Sequence, residues 1–176
     1  EITKYKKKYP GPYLISDKLD GVSGMFVYEG DNVKLYTRGN GREGQDISHL
    51  HKYISGFPKI KKQDKLAVRG EFIISKDNWD KLKKVDDTLS NPRNTVSGAI
   101  NSKILNKQLL KMIDFVAYTM VYPNLPNGLP ELAKMKFNVV NNTVMDDINL
   151  AILSKNLEDS RKNKYVIDGI VISDIS

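Results

Sequence analysis

The segment from Leu66 to Ser75 limits the possible folds more than any other stretch of this chain. Its two faces differ in character: one holds Leu66, Val68, Phe72 and Ile74, and the other holds Arg69, Glu71 and Ile73. A period of two residues is typical of a β-strand that packs one face against a core. The sequence therefore predicts a strand here, with charged groups on its second face.

Strands and helices follow one another irregularly along the rest of the sequence. Strands are predicted at 13–17, 22–29, 33–38, 113–121 and 165–173. Helices are predicted at 46–54, 75–84, 129–137 and 146–159, with one or two more within 91–112. Because no regular strand–helix–strand period is present, the pattern favours an α+β fold of antiparallel sheets. The basic residues 1–12, with Pro10-Gly11-Pro12, predict an arm or linker before a domain at 13–176.

Composition restricts the possible partners and compartments. The chain has a formal net charge of +7 and a pI near 9.4, mainly from lysines. That balance favours a polyanionic partner, although a lysine-rich solvated surface explains it equally well. The absence of cysteine excludes disulfide bonds, cysteine-ligated zinc and thiol catalysis. With neither a membrane-length apolar run nor a signal-like leader, we expect a soluble, intracellular protein.

The motif Lys18-Leu19-Asp20-Gly21 places an amine and a carboxylate two residues apart. On an extended backbone Lys18 and Asp20 point to the same face, so they can share a pocket. Lysine acts as a nucleophile only where burial, or a cationic or metal neighbour, lowers its pKa. The motif therefore predicts either a pocket that activates Lys18 or an ordinary turn at Asp20-Gly21.

Three further segments carry charged groups that suit a ligand. Residues 37–44 are rich in glycine and include Arg38, so they form either an anion-binding loop or a flexible turn. Glu71, on a strand suited to burial, needs a partner, which is either Arg69 or a ligand hydroxyl. Asp168-Gly169 precedes an apolar strand, where the carboxylate either meets a metal or an ammonium group or belongs to a simple turn.

The order of these motifs along the chain resembles the nucleotidyltransferase series of DNA ligases, RNA ligases and capping enzymes. The series consists of Lys18-x-Asp20-Gly21, Arg38-Gly39, Arg69-Gly70-Glu71, Phe115-Val116-Ala117-Tyr118 and Asp168-Gly169. In addition, Asn91-Pro92-Arg93-Asn94, followed by Ser97-Gly98, resembles the signature of the NAD-dependent DNA ligases. The resemblance spans residues 13–173 and corresponds to that family's adenylation domain, a nucleotidyltransferase (ATP-grasp-like) fold of antiparallel sheets flanked by helices.

The resemblance implies a covalent mechanism. Lys18 matches the nucleophile that attacks the adenylyl phosphorus of NAD and forms lysyl-AMP. Asp20 matches the residue that orients the lysine and the ribose, and Asp168 matches the carboxylate of the fourth motif. The AMP then passes to a 5′-phosphate at a nick in double-stranded DNA, and the 3′-hydroxyl displaces it. Magnesium is implied as a cofactor, without assigned metal ligands, and we expect a monomer that does not contact membranes.

Four residues match groups that bind the nucleotide. Arg38 matches an arginine that contacts the ribose and phosphates, and Glu71 matches the glutamate that binds a ribose hydroxyl. Tyr118 matches the aromatic residue that stacks on adenine. Arg93 matches an arginine near the phosphates or the nick. These assignments pair cations with phosphates, a carboxylate with a hydroxyl and a ring with a base.

The sequence also departs from the family pattern. Ser16 stands where a glutamate usually reads adenine, Ser173 where a lysine closes the fourth motif, and Asn101 where a second arginine follows Arg93. The chain stops at Ser176, before the fifth motif, and so resembles a fragment or a reduced relative. Fewer cations weaken stabilisation of a phosphoryl transition state.

Two other functions remain open from the sequence. An ATP-dependent polynucleotide ligase of the same superfamily would release pyrophosphate instead of nicotinamide mononucleotide. A non-catalytic nucleic-acid-binding module would keep the fold and the basic surface without the chemistry. Formation of an AMP adduct on Lys18 distinguishes the enzymes from the binding module, and the choice of donor distinguishes the two enzymes.

Overall fold

The computed structural model of the chain describes residues 1–38, 44–59 and 65–176. The central part of the glycine-rich segment, residues 39–43, lies outside them. The chain forms two compact units: unit 1 comprises residues 1–20 and 140–176, and unit 2 comprises residues 21–139. No helix within the described ranges is both long and apolar enough to cross a membrane.

The elements are numbered in chain order. The strands are β1 (Tyr13–Leu19), β2 (Val22–Glu29), β3 (Asn32–Thr37), β4 (Leu66–Ile74), β5 (Ile113–Tyr122), β6 (Asn142–Met145) and β7 (Ile167–Asp174). The α-helices are α1 (Ile2–Lys8), α2 (Lys76–Val85), α3 (Pro92–Asn101), α4 (Lys107–Leu110), α5 (Leu129–Lys134) and α6 (Leu150–Ser160), and a 3₁₀ turn spans Ser48–Leu50. This mixture of helices and antiparallel sheets confirms the predicted α+β fold.

Unit 2 is built on a four-stranded antiparallel sheet in the order β3-β2-β4-β5. The strand predicted at 66–75 is β4, one of its two central strands. Val68 and Phe72 are fully buried on one face, as the alternation requires. Phe57 stacks between Phe26 and Phe115, at ring-centroid distances of 5.4 and 4.8 Å. These rings form an aromatic core for unit 2.

Side-chain caps fix where helices α2 and α3 of unit 2 begin. The Asn91 side chain accepts a hydrogen bond of 2.8 Å from the backbone N–H of Asn94, and Pro92 occupies the first helical position of α3. Ser75 caps α2 in the same way, accepting from the Asn78 N–H at 3.2 Å. An asparagine cap followed by proline is a strong start signal. The cap therefore fixes the position of Arg93 in the first turn of α3.

Unit 1 is built on a three-stranded antiparallel sheet in the order β6-β1-β7. Tyr13 and Ile15 of β1 are buried against Ile148 and Leu153. Ile2 and Tyr5 of α1 pack on this cluster, so residues 2–8 form a helix that the sequence pattern did not predict. The division into an arm at 1–12 and a domain at 13–176 stays a prediction.

Two predicted helices differ from the observed ones, and one short strand was not predicted. The helix predicted at 46–54 is a single 3₁₀ turn, Ser48–Leu50. The helix predicted from residue 146 begins at Leu150, because the Asn149 side chain caps it by accepting from the Ile152 N–H at 2.9 Å. Strand β6 has only four residues at the edge of its sheet, which is too short for its alternation to be recognised.

His51 is an unusual member of the aromatic core of unit 2. Its ring lies 4.8 Å from Phe57 and 6.0 Å from Phe26. Among the described residues its Nε2 is buried and has no hydrogen-bond partner. Burial lowers the pKa of His51 below its ordinary 6.5, because desolvation disfavours the charged imidazolium.

We therefore expect His51 to make the stability of the chain depend on pH. The unfolded chain takes up a proton near pH 6.5 that the folded chain resists, so the free energy of unfolding falls as the pH drops below that value. His51→Phe should flatten this dependence in urea unfolding measured from pH 7.5 to 5. The exposed His49→Gln should leave it intact. Equal slopes in His51→Phe and the unmodified chain would contradict the assignment.

Candidate functional site

In unit 1, strand pairing brings Lys18 next to Asp168. Lys18 lies opposite Gly169 in the β1–β7 ladder, whereas Leu19 lies opposite Ile167. Asp168 is therefore the extra residue of a β-bulge, a feature that redirects a side chain. Its Oδ1 lies 4.0 Å from Lys18 Nζ. The two predicted residues thus form a long ion pair.

Burial, one of the conditions under which a lysine becomes a nucleophile, is absent at Lys18 in this structure. The Lys18 side chain is 61% exposed and that of Asp168 is 44% exposed. Both groups are accessible to a ligand from solvent, because neither is held inside the core. Removal of water from Lys18 has to come from whatever binds there.

The other predicted residues of unit 1 lie along the same strand. The Asp20 N–H donates to the Val166 carbonyl oxygen at 3.1 Å, just beyond the end of β1. Ser16 is 9% exposed and shares the Lys18 face of β1, by alternation. Ser173, which replaces the lysine of the fourth motif, pairs with Leu14 and belongs to that face too.

In unit 2, the register of β2 and β4 places Ser23 directly opposite Glu71. The Ser23 hydroxyl donates to Glu71 Oε2 at 3.4 Å. Glu71 is only 7% exposed, so its carboxylate lies among buried groups beside a polar partner. Ser23 was not predicted from the sequence, because no motif includes it. Its contact with Glu71 arises from the pairing of β2 with β4.

Tyr118 also owes its orientation to a bulge. Arg69 pairs with Thr119 and Gly70 pairs with Ala117, which leaves Tyr118 as the extra residue of β5. Burial raises the pKa of the Tyr118 phenol above its ordinary 10.0, and the negative charge of Glu71 raises it further. A hydrogen bond with Ser23 opposes that rise, so the three side chains form one connected group.

Two neighbouring cavities in unit 2 contain most of the predicted binding residues. The first, of about 690 Å³, is lined by Ser23, Met25, Tyr36, Arg38, Arg69 and Tyr118, among others. The second, of about 550 Å³, is lined by residues that include Arg38, Glu71, Arg93, Asn94, Ser97 and Asn101. Arg38 and Ser23 line both cavities, which are therefore neighbours in the fold.

Helix α3 contributes a polar wall to the second cavity. Arg93 Nε donates to the Gly21 carbonyl oxygen at 3.2 Å, which fixes its side chain beside the cavity. Asn101, which replaces the second arginine of the family pattern, donates through Nδ2 to Ser97 Oγ at 3.3 Å. This end of the cavity is therefore neutral, whereas Arg93 and Arg38 provide positive charge.

The described residues do not form a metal cage. No group of three or more His, Cys, Asp or Glu side chains with ligand geometry occurs in the part of the chain that the structure describes. Magnesium commonly relies on one or two carboxylates together with substrate phosphates. The donors among the described residues therefore suit a metal bound chiefly by nucleotide phosphates, and they do not form a cage by themselves.

The fold is that of DNA ligases. One solved structure with this fold comes from a study of DNA binding with a minimal scaffold by Lig E DNA ligases; it has a TM-score of 0.54 and 17% identity, and the match covers 97% of this chain and 65% of that one. A second structure, named Pmar-Lig_Pre, has a TM-score of 0.56 and 14% identity, with 99% of this chain and 41% of that chain covered. At these identities the likeness shows the fold alone.

Sequence comparison identifies the family. Residues 2–174 match the family described as the NAD-dependent DNA ligase adenylation domain. The DNA ligase of Acanthamoeba polyphaga mimivirus is 38% identical over 98% of this chain and 28% of its own length. The DNA ligase of Pelagibacter ubique is 35% identical over 90% of this chain and 25% of its own length. The chain belongs to the adenylation domain family of NAD-dependent DNA ligases, and it spans under a third of the length of these relatives.

The connected group in unit 2 can be tested by titration. Because the Glu71 charge raises the pKa of Tyr118, Glu71→Gln should lower that pKa toward 10.0. The measurement is tyrosinate absorbance against pH, with Tyr118→Phe subtracted to isolate this phenol. Glu131→Gln, at an exposed glutamate in α5, serves as the control and should not move it. An unchanged or increased pKa in Glu71→Gln would contradict the contact.

Proposed function

We propose that this chain transfers AMP from NAD to Lys18 and then to the 5′-phosphate at a nick in double-stranded DNA. The observation that carries the proposal is the grouping of Glu71, Tyr118, Arg38 and Arg93 around two neighbouring cavities. Membership of the adenylation domain family supports it. The Lys18–Asp168 pair supplies an accessible amine beside a carboxylate.

Each side chain of unit 2 suits one part of the nucleotide. The Tyr118 ring offers a face on which adenine stacks, and the Glu71 carboxylate accepts a hydrogen bond from a ribose hydroxyl. Arg38 lines both cavities and meets the phosphates between them. Arg93 provides a second cation at α3 for the phosphate that leaves or for the incoming DNA end.

The chemical step uses the residues of unit 1. Lys18 Nζ gives one proton to solvent before the reaction and the next to Asp168, 4.0 Å away, as it attacks the phosphorus of the adenylyl group. A P–N bond forms, the P–O bond of the diphosphate breaks, and nicotinamide mononucleotide leaves with the electron pair. Asp20 orients the amine from the end of β1. Because Lys18 is exposed, we infer that bound NAD excludes water from it.

The remaining steps transfer AMP to DNA. An oxygen of the 5′-phosphate attacks the phosphorus of lysyl-AMP, which breaks the P–N bond, and the 3′-hydroxyl then displaces AMP and seals the nick. The net charge of +7 supports a polyanionic substrate. We propose a monomer, and any magnesium would arrive with the nucleotide phosphates.

The choice of NAD over ATP rests on α3. The Asn91-Pro92-Arg93-Asn94 start of this helix matches the NAD-dependent family. ATP would release pyrophosphate, which carries more negative charge than nicotinamide mononucleotide. The cavity beside α3 offers Asn94, Ser97 and Asn101 in addition to its arginines, which favours a less charged leaving group.

Adduct formation tests the proposal. Incubation with NAD labelled in its adenylyl group should label the unmodified chain, and Lys18→Ala should reduce labelling to background, since no other group takes the place of the amine. Lys155→Ala is the matched control, because this exposed lysine of unit 1 also pairs with an aspartate, at 3.7 Å. Labelling that persists in Lys18→Ala would refute the role of Lys18.

A comparison of NAD and ATP as adenylyl donors distinguishes the remaining functions. Labelling by ATP and not by NAD would identify the ATP-dependent reaction. No labelling by either donor, together with salt-sensitive DNA binding that survives Lys18→Ala, would identify a non-catalytic binding module.

A further inference from the structure

The loop after α3 exposes an isoleucine in an ordered position. The Ile104 side chain is 83% exposed and the neighbouring Leu105 is 38% exposed. Ser102 closes the loop, since its hydroxyl donates to the Ile104 carbonyl oxygen at 2.7 Å and accepts from the Ile104 N–H at 3.2 Å. The loop therefore presents an apolar side chain to solvent on a backbone that its own hydrogen bonds hold in place.

Three lysines lie close to this isoleucine in the sequence. Lys103 precedes it, Lys107 begins α4, and Lys111 follows one helical turn later on the same face. Lys107 Nζ lies 5.9 Å from the centre of the Tyr53 ring, and Lys52 Nζ lies 5.2 Å from the same ring. The Tyr53 ring therefore holds the ammonium groups of Lys52 and Lys107 close together. Such a pair of positive charges suits a partner with regularly spaced negative charges.

The loop also adjoins the site described above. Helix α3 lines the second cavity with Asn94, Ser97 and Asn101, and Ser102 is its C-terminal cap. Ile104 follows Asn101 by three residues. The loop therefore directly follows the residues of α3 that line that cavity.

We propose that residues 102–107 bind duplex DNA, with Ile104 entering the minor groove and with Lys103 and Lys107 binding phosphates on either side. An apolar side chain flanked by cations is the arrangement with which proteins wedge between base steps and partly unstack them. The proposal rests on the proposed function for the identity of the partner. It adds a contact surface that the nucleotide cavities do not require.

Val85 provides a matched control on the same unit. It is also an aliphatic residue beside lysines, and it is 88% exposed. Its surroundings differ, because two aspartates, Asp86 and Asp87, follow it in the sequence. In addition, Lys83 Nζ donates hydrogen bonds to the carbonyl oxygens of Asp87 and Leu89, at 3.1 and 2.9 Å. Exposure is therefore similar at the two positions, but Asp86 and Asp87 offset the positive charge beside Val85.

Binding of a fluorescent nicked duplex tests the surface. Ile104→Ser should weaken binding at least about fivefold, because it removes apolar burial in the groove, and Val85→Ser should bind as the unmodified chain does. Lys103→Gln and Lys107→Gln should each reduce the salt dependence of log K by about one. Lys134→Gln, at an exposed lysine paired with Glu131, should not change it.

A second measurement distinguishes a wedge from simple charge attraction. Duplexes with 2-aminopurine at successive positions near the nick should brighten at one step when the unmodified chain binds, and Ile104→Ser should abolish that rise. Circular dichroism confirms that each variant is folded. Equal binding by Ile104→Ser, or no brightening at any position, would overturn the wedge.

Two other results would also overturn this surface. One is the absence of duplex binding by the unmodified chain. The other is self-association in sedimentation that Ile104→Ser removes, which would make the loop a contact between copies of this chain. Adduct formation from NAD by the unmodified chain is scored separately. A chain that forms the adduct but fails these binding tests refutes only the loop, whereas a chain that binds through Ile104 without forming the adduct refutes only the transferase.

Discussion

Backbone pairing between antiparallel strands determines the positions of five side chains of the candidate site: Lys18 and Asp168 in unit 1, and Ser23, Glu71 and Tyr118 in unit 2. In unit 2, the ladder between β2 and β4 sets Ser23 against Glu71. A slip of one residue would turn Glu71 toward the aromatic core and Phe72 toward the cavity, at a large cost in burial. Burial of Phe72 therefore also fixes the register that keeps the carboxylate on the ligand side.

Two β-bulges orient side chains of the candidate site in directions that a regular strand does not allow. Tyr118 is the extra residue of β5 and Asp168 is the extra residue of β7. In a regular ladder a side chain can point only to one face or the other, whereas a bulge redirects it. Each unit uses one bulge to bring a reactive or binding group beside its partner: Tyr118 joins Ser23 and Glu71, and Asp168 meets Lys18.

The sequence predicted those parts of the structure in which local pattern and tertiary packing agree. The alternation in β4 and the helical pattern within 91–112 are both local signals, and both predictions are confirmed. Helix α1 was missed because its seven residues carry no side-chain cap, and packing of Ile2 and Tyr5 supports it instead. The two bulges could not be predicted from the sequence, because a bulge is a register shift between two strands and the sequence of one strand does not reveal it.

The candidate site divides in the same way. The motif order identified Glu71, Tyr118, Arg38 and Arg93, and all four line one or both of two neighbouring cavities. It did not identify Ser23, which acts through cross-strand contacts. The exposure of Lys18 was not evident from its motif, because alternation along a strand does not show what covers either face. The roles of these residues in catalysis stay predictions.

The central claim is that the Lys18 amine itself forms the covalent bond to AMP. The most direct measurement is tandem mass spectrometry of peptides from the unmodified chain after reaction with NAD, which locates the adenylyl group at residue level. If Lys18 is the nucleophile, we expect one adenylyl group, attached to Lys18 Nζ, and release of nicotinamide mononucleotide in equal amount. An adenylyl group on any other residue, or release without a covalent adduct, would contradict it.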